Sequence, residues 1–208
     1  METKCVMPID KLINGFKQFR HHYYVEQPEV YQKLVKKGQN PDIMVIACAD
    51  SRVNPSIILQ AMPGDLFIVR NIANLVPPNR TRDRGHGTGA AIEFAVKDLN
   101  VKKIIVLGHS QCGGIRRLSE SKLSAGDREY IDNWVSTALP ARPEEVTEAN
   151  LREAEKNSVT ISLDNLLTYP WVKTAVKAGR LEILGWLFDM EIGQLLSYKK
   201  GSGWAPII

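Results

Sequence analysis

Cys48, His109 and Cys112 are the residues of this sequence best suited to do chemistry together. Cys48 closes the apolar run Ile43-Met44-Val45-Ile46-Ala47 and is followed by Ala49-Asp50-Ser51-Arg52. A second apolar run, Ile104-Ile105-Val106-Leu107, opens into Gly108-His109-Ser110-Gln111-Cys112-Gly113-Gly114. Taken singly, a free cysteine is an ordinary core residue and a lone histidine an ordinary hydrogen-bonding one. Taken together, two soft thiolates and one imidazole suit zinc, and three protein ligands leave the fourth tetrahedral position open, as a catalytic ion requires. No further Cys or His stands at ligand spacing, since Cys5 lies in the N-terminal segment and His21, His22 and His86 form no such set.

Asp50 and Arg52 stand two apart just beyond the first run. An arginine partner keeps a carboxylate ionised and aimed, and an aimed carboxylate beside a metal can accept the proton of a water molecule. The plainer alternative is an ion pair that stabilises the loop. Gly113 and Gly114 let backbone N–H groups approach a ligand at the start of a helix. Other motif readings fit less well. Gly85-His86-Gly87-Thr88-Gly89 is glycine-rich but lacks the phosphate-loop Lys-Ser/Thr. A phosphatase loop from Cys112 needs an arginine where Leu118 stands. A Cys112–His109 protease or redox pair leaves Cys48, Asp50 and Arg52 without a role.

These residues need a scaffold. The charge-free apolar runs at 43–48, 66–69 and 104–107 read as strands buried on both faces, and 88–99 between the last two has helical spacing. Strands alternating with helices predict an α/β fold, a mainly parallel central sheet flanked by helices. In such sheets ligands bind beyond the carboxyl ends of strands, where both polar motifs fall. Residues 8–22 and 28–38 read as an N-terminal helical arm, 127–178 as mostly helical with breaks at Pro140, Pro143 and Pro170, and 181–198 as a C-terminal hairpin turning at Glu191-Ile192-Gly193. Residues 71–87, with Arg80, Arg82 and Arg84, read as a long irregular loop whose arginines form a solvated rim.

Composition agrees and excludes. At 208 residues the chain is one domain of ordinary size, and its net charge of +4 is mild. No apolar run reaches the roughly 18 residues of a membrane span. No basic-then-apolar start marks a secretory signal, and three scattered cysteines do not make a disulfide framework. The expected compartment is the reducing cytoplasm, with no membrane and no nucleic acid as partner.

With Cys48-x-Asp50-x-Arg52 and His109-x-x-Cys112 in this order, the sequence resembles the β-class carbonic anhydrases. The resemblance runs from about residue 10 to the terminal hairpin. It includes Pro63-Gly64-Asp65, Arg70-Asn71, the stretch Gly87 to Ala95, and Gly185-Trp186-x-Phe188-Asp189. It implies one Zn2+ per chain on Cys48, His109 and Cys112, an Asp50–Arg52 dyad, and substrate contacts from Gln39, Phe67, Ile72, Phe94 and Gly113. Val45 stands where the subgroup with a regulatory bicarbonate pocket carries Trp, so the chain is similar to the plant-type subgroup with an open zinc site. Ile72 and Phe94 depart from that subgroup's Val and Tyr. In the family's closed state Asp50 itself becomes the fourth zinc ligand.

The implied activity is zinc-dependent reversible hydration of CO2 to bicarbonate and a proton, by attack of zinc-bound hydroxide. Because two thiolates neutralise the ion, activity is expected to rise toward alkaline pH. The same site could instead hydrolyse CS2 or COS, or the protein could be a non-catalytic bicarbonate- or zinc-binding regulator. The resemblance also implies at least a homodimer, with a tetramer or larger assembly open. In it, arm residues 1–38 of the single 1–208 domain pack on the partner subunit, and Gln39 and the aromatic positions complete the neighbour's pocket. His86 is a candidate proton shuttle, against its plainer reading as a loop histidine.

Overall fold

A computed structural model of the chain describes residues 8–80, 86–120 and 128–207. Cys5, Arg82, Arg84 and Gly85 lie outside the described residues. Internal contacts divide the chain into two compact units, one ending at Asn40 and one beginning at Pro41.

The first unit holds α1 (Pro8–His21), a π-helical turn (His22–Glu26) and α2 (Pro28–Lys37). Pro28 pre-sets the backbone of the first turn of α2, and Glu29 and Lys36-Lys37 match the helix dipole at its two ends. Phe19, Tyr23 and Tyr31 pack ring against ring at centroid distances of 5.1–5.6 Å. Neither helix buries a single residue. Ile9, Leu12 and Phe16, the expected apolar stripe of α1, stay 60%, 69% and 63% exposed.

The second unit holds the strands β1 (Ile43–Cys48), β2 (Leu66–Asn71), β3 (Lys103–His109), β4 (Glu182–Asp189), β5 (Gln194–Lys199) and β6 (Gly203–Pro206) and, among its helices, the short α3 (Pro55–Ile58) and α6 (Glu129–Val135). The strands form one sheet in the order β2-β1-β3-β4-β5-β6. β2, β1, β3 and β4 are mutually parallel, whereas β4, β5 and β6 pair antiparallel. The C-terminal hairpin turns where expected, with Gly193 at φ +66°. The sheet then gains β6, which the sequence reading did not foresee. β6 is only four residues long and ends in Pro206, which is tolerated because the strand lies at an edge.

Period-2 alternation sends Met44, Ile46, Ile104 and Val106 into one core. There they meet Ile92 and Ala95 of α4 (Gly87–Lys97), Val159 and Leu166 of α7 (Glu148–Leu166), and Val172 of α8 (Pro170–Lys177). Val45, Ala47, Ile105 and Leu107 point the other way and cluster with Ile68, Leu184 and Trp186. Each fully buried aliphatic side chain contributes roughly 1.5–3 kcal/mol, so β1 and β3, buried over most of their length, are firmly fixed. The chain leaves β1 toward β2 on one side and returns as β3 on the other. The loops beyond β1 and β3 therefore diverge, and a crevice opens between them.

Candidate metal centre

Cys48 is the last residue of β1 and His109 the last of β3. Cys112 precedes α5 (Gly113–Glu120) by one residue. Their ligand atoms all lie within 4.8 Å of one another, and the residues are 4%, 1% and 2% exposed. The strand ends supply rigidity, while the loop 110–112 brings back the third donor.

Main-chain groups tune each donor. His109 Nδ1 lies 2.8 Å from the Ser110 carbonyl, which leaves Nε2 as the ligand nitrogen, and Nε2 is buried without a hydrogen-bond partner. The Cys48 sulfur accepts the Ala73 N–H at 3.3 Å and the Asp50 N–H at 3.4 Å. The neighbouring Cys112 thiol, with His109 and the Asp50 amide, pulls the Cys48 thiol far below its usual range despite burial. The Cys48 sulfur beside it, together with burial, drives Cys112 the other way. Burial disfavours the His109 cation, but the Cys48 sulfur outweighs it and raises the imidazole above its usual value. Zinc sits about 2.0–2.3 Å from such ligands. Donors this close, two sulfurs and a nitrogen without a partner, fit that ion.

Asp50 is clamped. Arg52 Nε donates to Oδ1 at 2.9 Å, Arg52 Nη2 to Oδ2 at 2.7 Å, and the Arg52 amide to Oδ1 at 3.0 Å. Arg52 Nη2 also reaches the Gln111 carbonyl at 3.1 Å, linking the loop after β1 to the loop after β3. The guanidinium holds the Asp50 carboxyl well below the usual carboxylate range.

Several supports had no such role in the sequence reading, where Arg70 and Asn71 entered only as part of the resemblance. Arg70, on β2, straps the first loop through the carbonyls of Cys48 at 2.9 Å and Asp50 at 2.6 Å. The Asn71 side chain closes the turn 72–75 from both sides, accepting the Leu75 N–H and donating to the Leu75 carbonyl. Glu155, buried on α7, accepts the Cys112 N–H at 2.8 Å, and burial raises its carboxyl pKa against the pull of that amide and of Arg152. Ala73, Asn74 and Gln111 all have φ between +52° and +62°, a region costly to residues with a side chain. A Cβ on Gly114 would lie 2.7 Å from Ile72 Cγ2 and 2.9 Å from Ala73 Cβ, so only glycine lets α5 start against that turn.

A cavity of about 330 Å³ opens onto the centre, lined by Cys48, Ala49, Asp50, Ile72, Gly113 and Gly114 with Arg117, Arg128 and Ile131 beyond. It thus joins Asp50, Ile72 and Gly113 of the expected residues. Phe67 and Phe94 are not among its lining. They pack on each other at 5.9 Å. Phe67 is in register with Met44, four positions before Cys48, or about 13 Å along the strand at roughly 3.3 Å per residue. Gln39 belongs to the first unit and is exposed. His86 is a helix cap: its Nδ1 accepts the Gly89 N–H at 2.8 Å at the start of α4, and its Nε2 lies 3.5 Å from the Tyr169 hydroxyl. That bonding, with no place in the cavity lining, supports the plainer reading over the shuttle.

The carbonic anhydrase family model matches residues 43–195 of the chain. Beta carbonic anhydrase 3 of Arabidopsis thaliana is 39% identical over 202 residues, covering 93% of this chain and 78% of that protein. Among solved structures, the β-carbonic anhydrase CcaA superposes with a TM-score of 0.87 at 31% identity, over 96% of this chain and 92% of its own. A tetrameric β-carbonic anhydrase of Sordaria macrospora gives 0.75 at 29% identity, over 94% and 96%. No helix among the described residues is long and apolar enough to cross a membrane.

Proposed function

Because this chain belongs to the β-class carbonic anhydrases, we propose that it catalyses the reversible hydration of CO2 to bicarbonate and a proton at the Cys48–His109–Cys112 centre. The observation that carries this reading is Asp50, an ionised carboxylate locked by Arg52 in the cavity that Cys48 lines. A purely structural zinc site needs no such group.

Zinc is the cofactor, and when held by Cys48, His109 and Cys112, one ion per chain, it would supply the Lewis acidity that makes water nucleophilic. Asp50 accepts a hydrogen bond from the reacting water and orients it, while Arg52 keeps the carboxylate from turning away. With both its oxygens engaged by Arg52, Asp50 is read as held off the metal, the open form of the plant-type subgroup. Ile72 and Ile131 offer CO2 an apolar wall. The N–H of Gly113, at the start of α5, donates toward the charge developing on oxygen.

Gln39, Phe67 and Phe94 are assigned to the pocket of a neighbouring copy. The tetrameric Sordaria relative and the unburied apolar stripe of α1 both support an oligomer, at least a dimer. Two free thiols this close together fit a reducing compartment such as the cytoplasm.

Stopped-flow CO2 hydration at alkaline pH on wild type and Asp50→Ala, with zinc measured on the same samples, tests this function. Hydration in the wild type that is lost in the variant while zinc stays bound supports it. Zinc-loaded wild type without CO2 activity overturns it, and turnover of CS2 or COS in its place would redirect it.

A further inference from the structure

Gln111 lies between the two ligands of the second motif, with φ +57°. Glycine would adopt that conformation without strain. Instead the position holds a long amide side chain that is bonded at both ends of the residue. Its Nε2 donates to Glu191 Oε1 at 2.6 Å, and its carbonyl accepts from Arg52 Nη2 at 3.1 Å.

Glu191 is itself well fixed, on the turn between β4 and β5. Its N–H donates to Asp189 Oδ1 at 2.9 Å, and its Oε2 pairs with Arg152 Nη2 at 2.6 Å. Arg152 stands 3.7 Å from Glu155, whose other oxygen holds the Cys112 amide. The same turn grips the ligand loop twice more: the Ser110 N–H donates to the Phe188 carbonyl at 3.0 Å, and the Met190 N–H to Ser110 Oγ at 2.9 Å. The C-terminal hairpin thus bonds Ser110 directly and is linked to Cys112 through Arg152 and Glu155, and among the described residues Glu191 is the side chain of the turn that hydrogen-bonds Gln111 itself.

We propose that Glu191 is a positioning residue for the reaction: by holding the Gln111 side chain it fixes the left-handed turn that presents the Gln111 carbonyl to Arg52, and through Arg52 it aims Asp50. The assignment rests on the proposed role of Asp50. A strained conformation persists where its surroundings over-determine it, and here the determinant is a carboxylate about eighty residues away in sequence.

Zinc-loaded Glu191→Ala, Gln111→Ala, the double variant, and Glu191→Ala in an Arg52→Ala background test the link through kcat/KM for CO2 hydration. Each single variant is expected to lose about fivefold. The double variant should lose no more than either single one, and Glu191→Ala should add nothing once Arg52 is gone. Gln111→Gly should retain more activity than Gln111→Ala, because glycine holds the turn unaided. Single variants equal to wild type, or the same loss with and without Arg52, would overturn the proposal.

A crystal structure of Glu191→Ala gives a readout independent of turnover. A Gln111 peptide rotated away from Arg52 supports the role, and a bond kept at its present length refutes it. Should the wild type not hydrate CO2, the functional reading falls, while this structural comparison still decides what Glu191 does.

Discussion

Arg52 meets Asp50 with three donors, its Nε, its Nη2 and its own amide, at 2.9, 2.7 and 3.0 Å. A carboxylate with a depressed folded pKa contributes stability that is fully present above its unfolded value, near 3.9, and lost as pH falls through the lower folded value. Asp50 therefore places no acid limb on activity above about pH 5. Arg52→Lys keeps the charge but loses the fork, so kcat/KM should fall about tenfold or more with zinc retained. Asp50 then moves back toward the ordinary carboxylate value, still below pH 5, so the profile above that pH should keep its shape while its height falls. An undiminished kcat/KM with zinc retained would contradict this.

In the zinc-free protein Cys48 should already be a thiolate at pH 6, where an ordinary thiol, with a pKa near 8.5, is protonated. Cys112 should remain a thiol past the usual range. Thiolate absorbance in the ultraviolet reads both. One thiolate present at pH 6 and absent in Cys48→Ser is the expected result, and a band that appears only above pH 8 would refute it. With its pKa lowered, Cys48 adds stability that grows as pH rises from its folded value toward the ordinary thiol value.

Gly114→Ala should cost about 1–3 kcal/mol through overpacking. Ile72 Cγ2 and Ala73 Cβ stand where the methyl would go, and their turn donates an N–H to the Cys48 sulfur. Denaturant unfolding measures the cost, and zinc retention under a chelator measures the damage to the centre. A fully stable variant that keeps its zinc would show that the turn can retreat freely.

If Gln39 serves the neighbouring subunit, Asp50→Ala and Gln39→Ala chains should complement each other when co-assembled. A mixed pair rebuilds one pocket with an intact Asp50 and an intact Gln39. Activity of the mixture above that of either parent is the expected outcome. A mixture no better than its parents would place Gln39 in its own chain's pocket or in none.

The sequence revealed the centre because metal donors are rare residue types at strand ends. β1 and β3 are legible since their uncharged runs admit few other structures, and their burial bears that out. What supports the donors was less legible. Glu155 lies forty-three positions from the amide that it accepts, in a helix where one more glutamate carries no signal. Ala73 and Asn74 do not advertise a left-handed turn as glycine would, because tertiary contacts impose it. Phe67 and Phe94 show the limit of residue type as a guide, since the types fit a pocket, yet register sets Phe67 far from its own Cys48 and Phe94 packs on Phe67 outside the cavity lining.

The acceptor that sets the His109 tautomer is the carbonyl of the very next residue, and the Cys48 sulfur receives two amide hydrogens from the chain itself. No single codon change can delete a main-chain carbonyl, and for an N–H only proline can. The fine adjustment of these donors is thus shielded from genetic drift. Descendants can exchange most letters around the centre and still inherit the same ligand chemistry, provided the path of the backbone is kept.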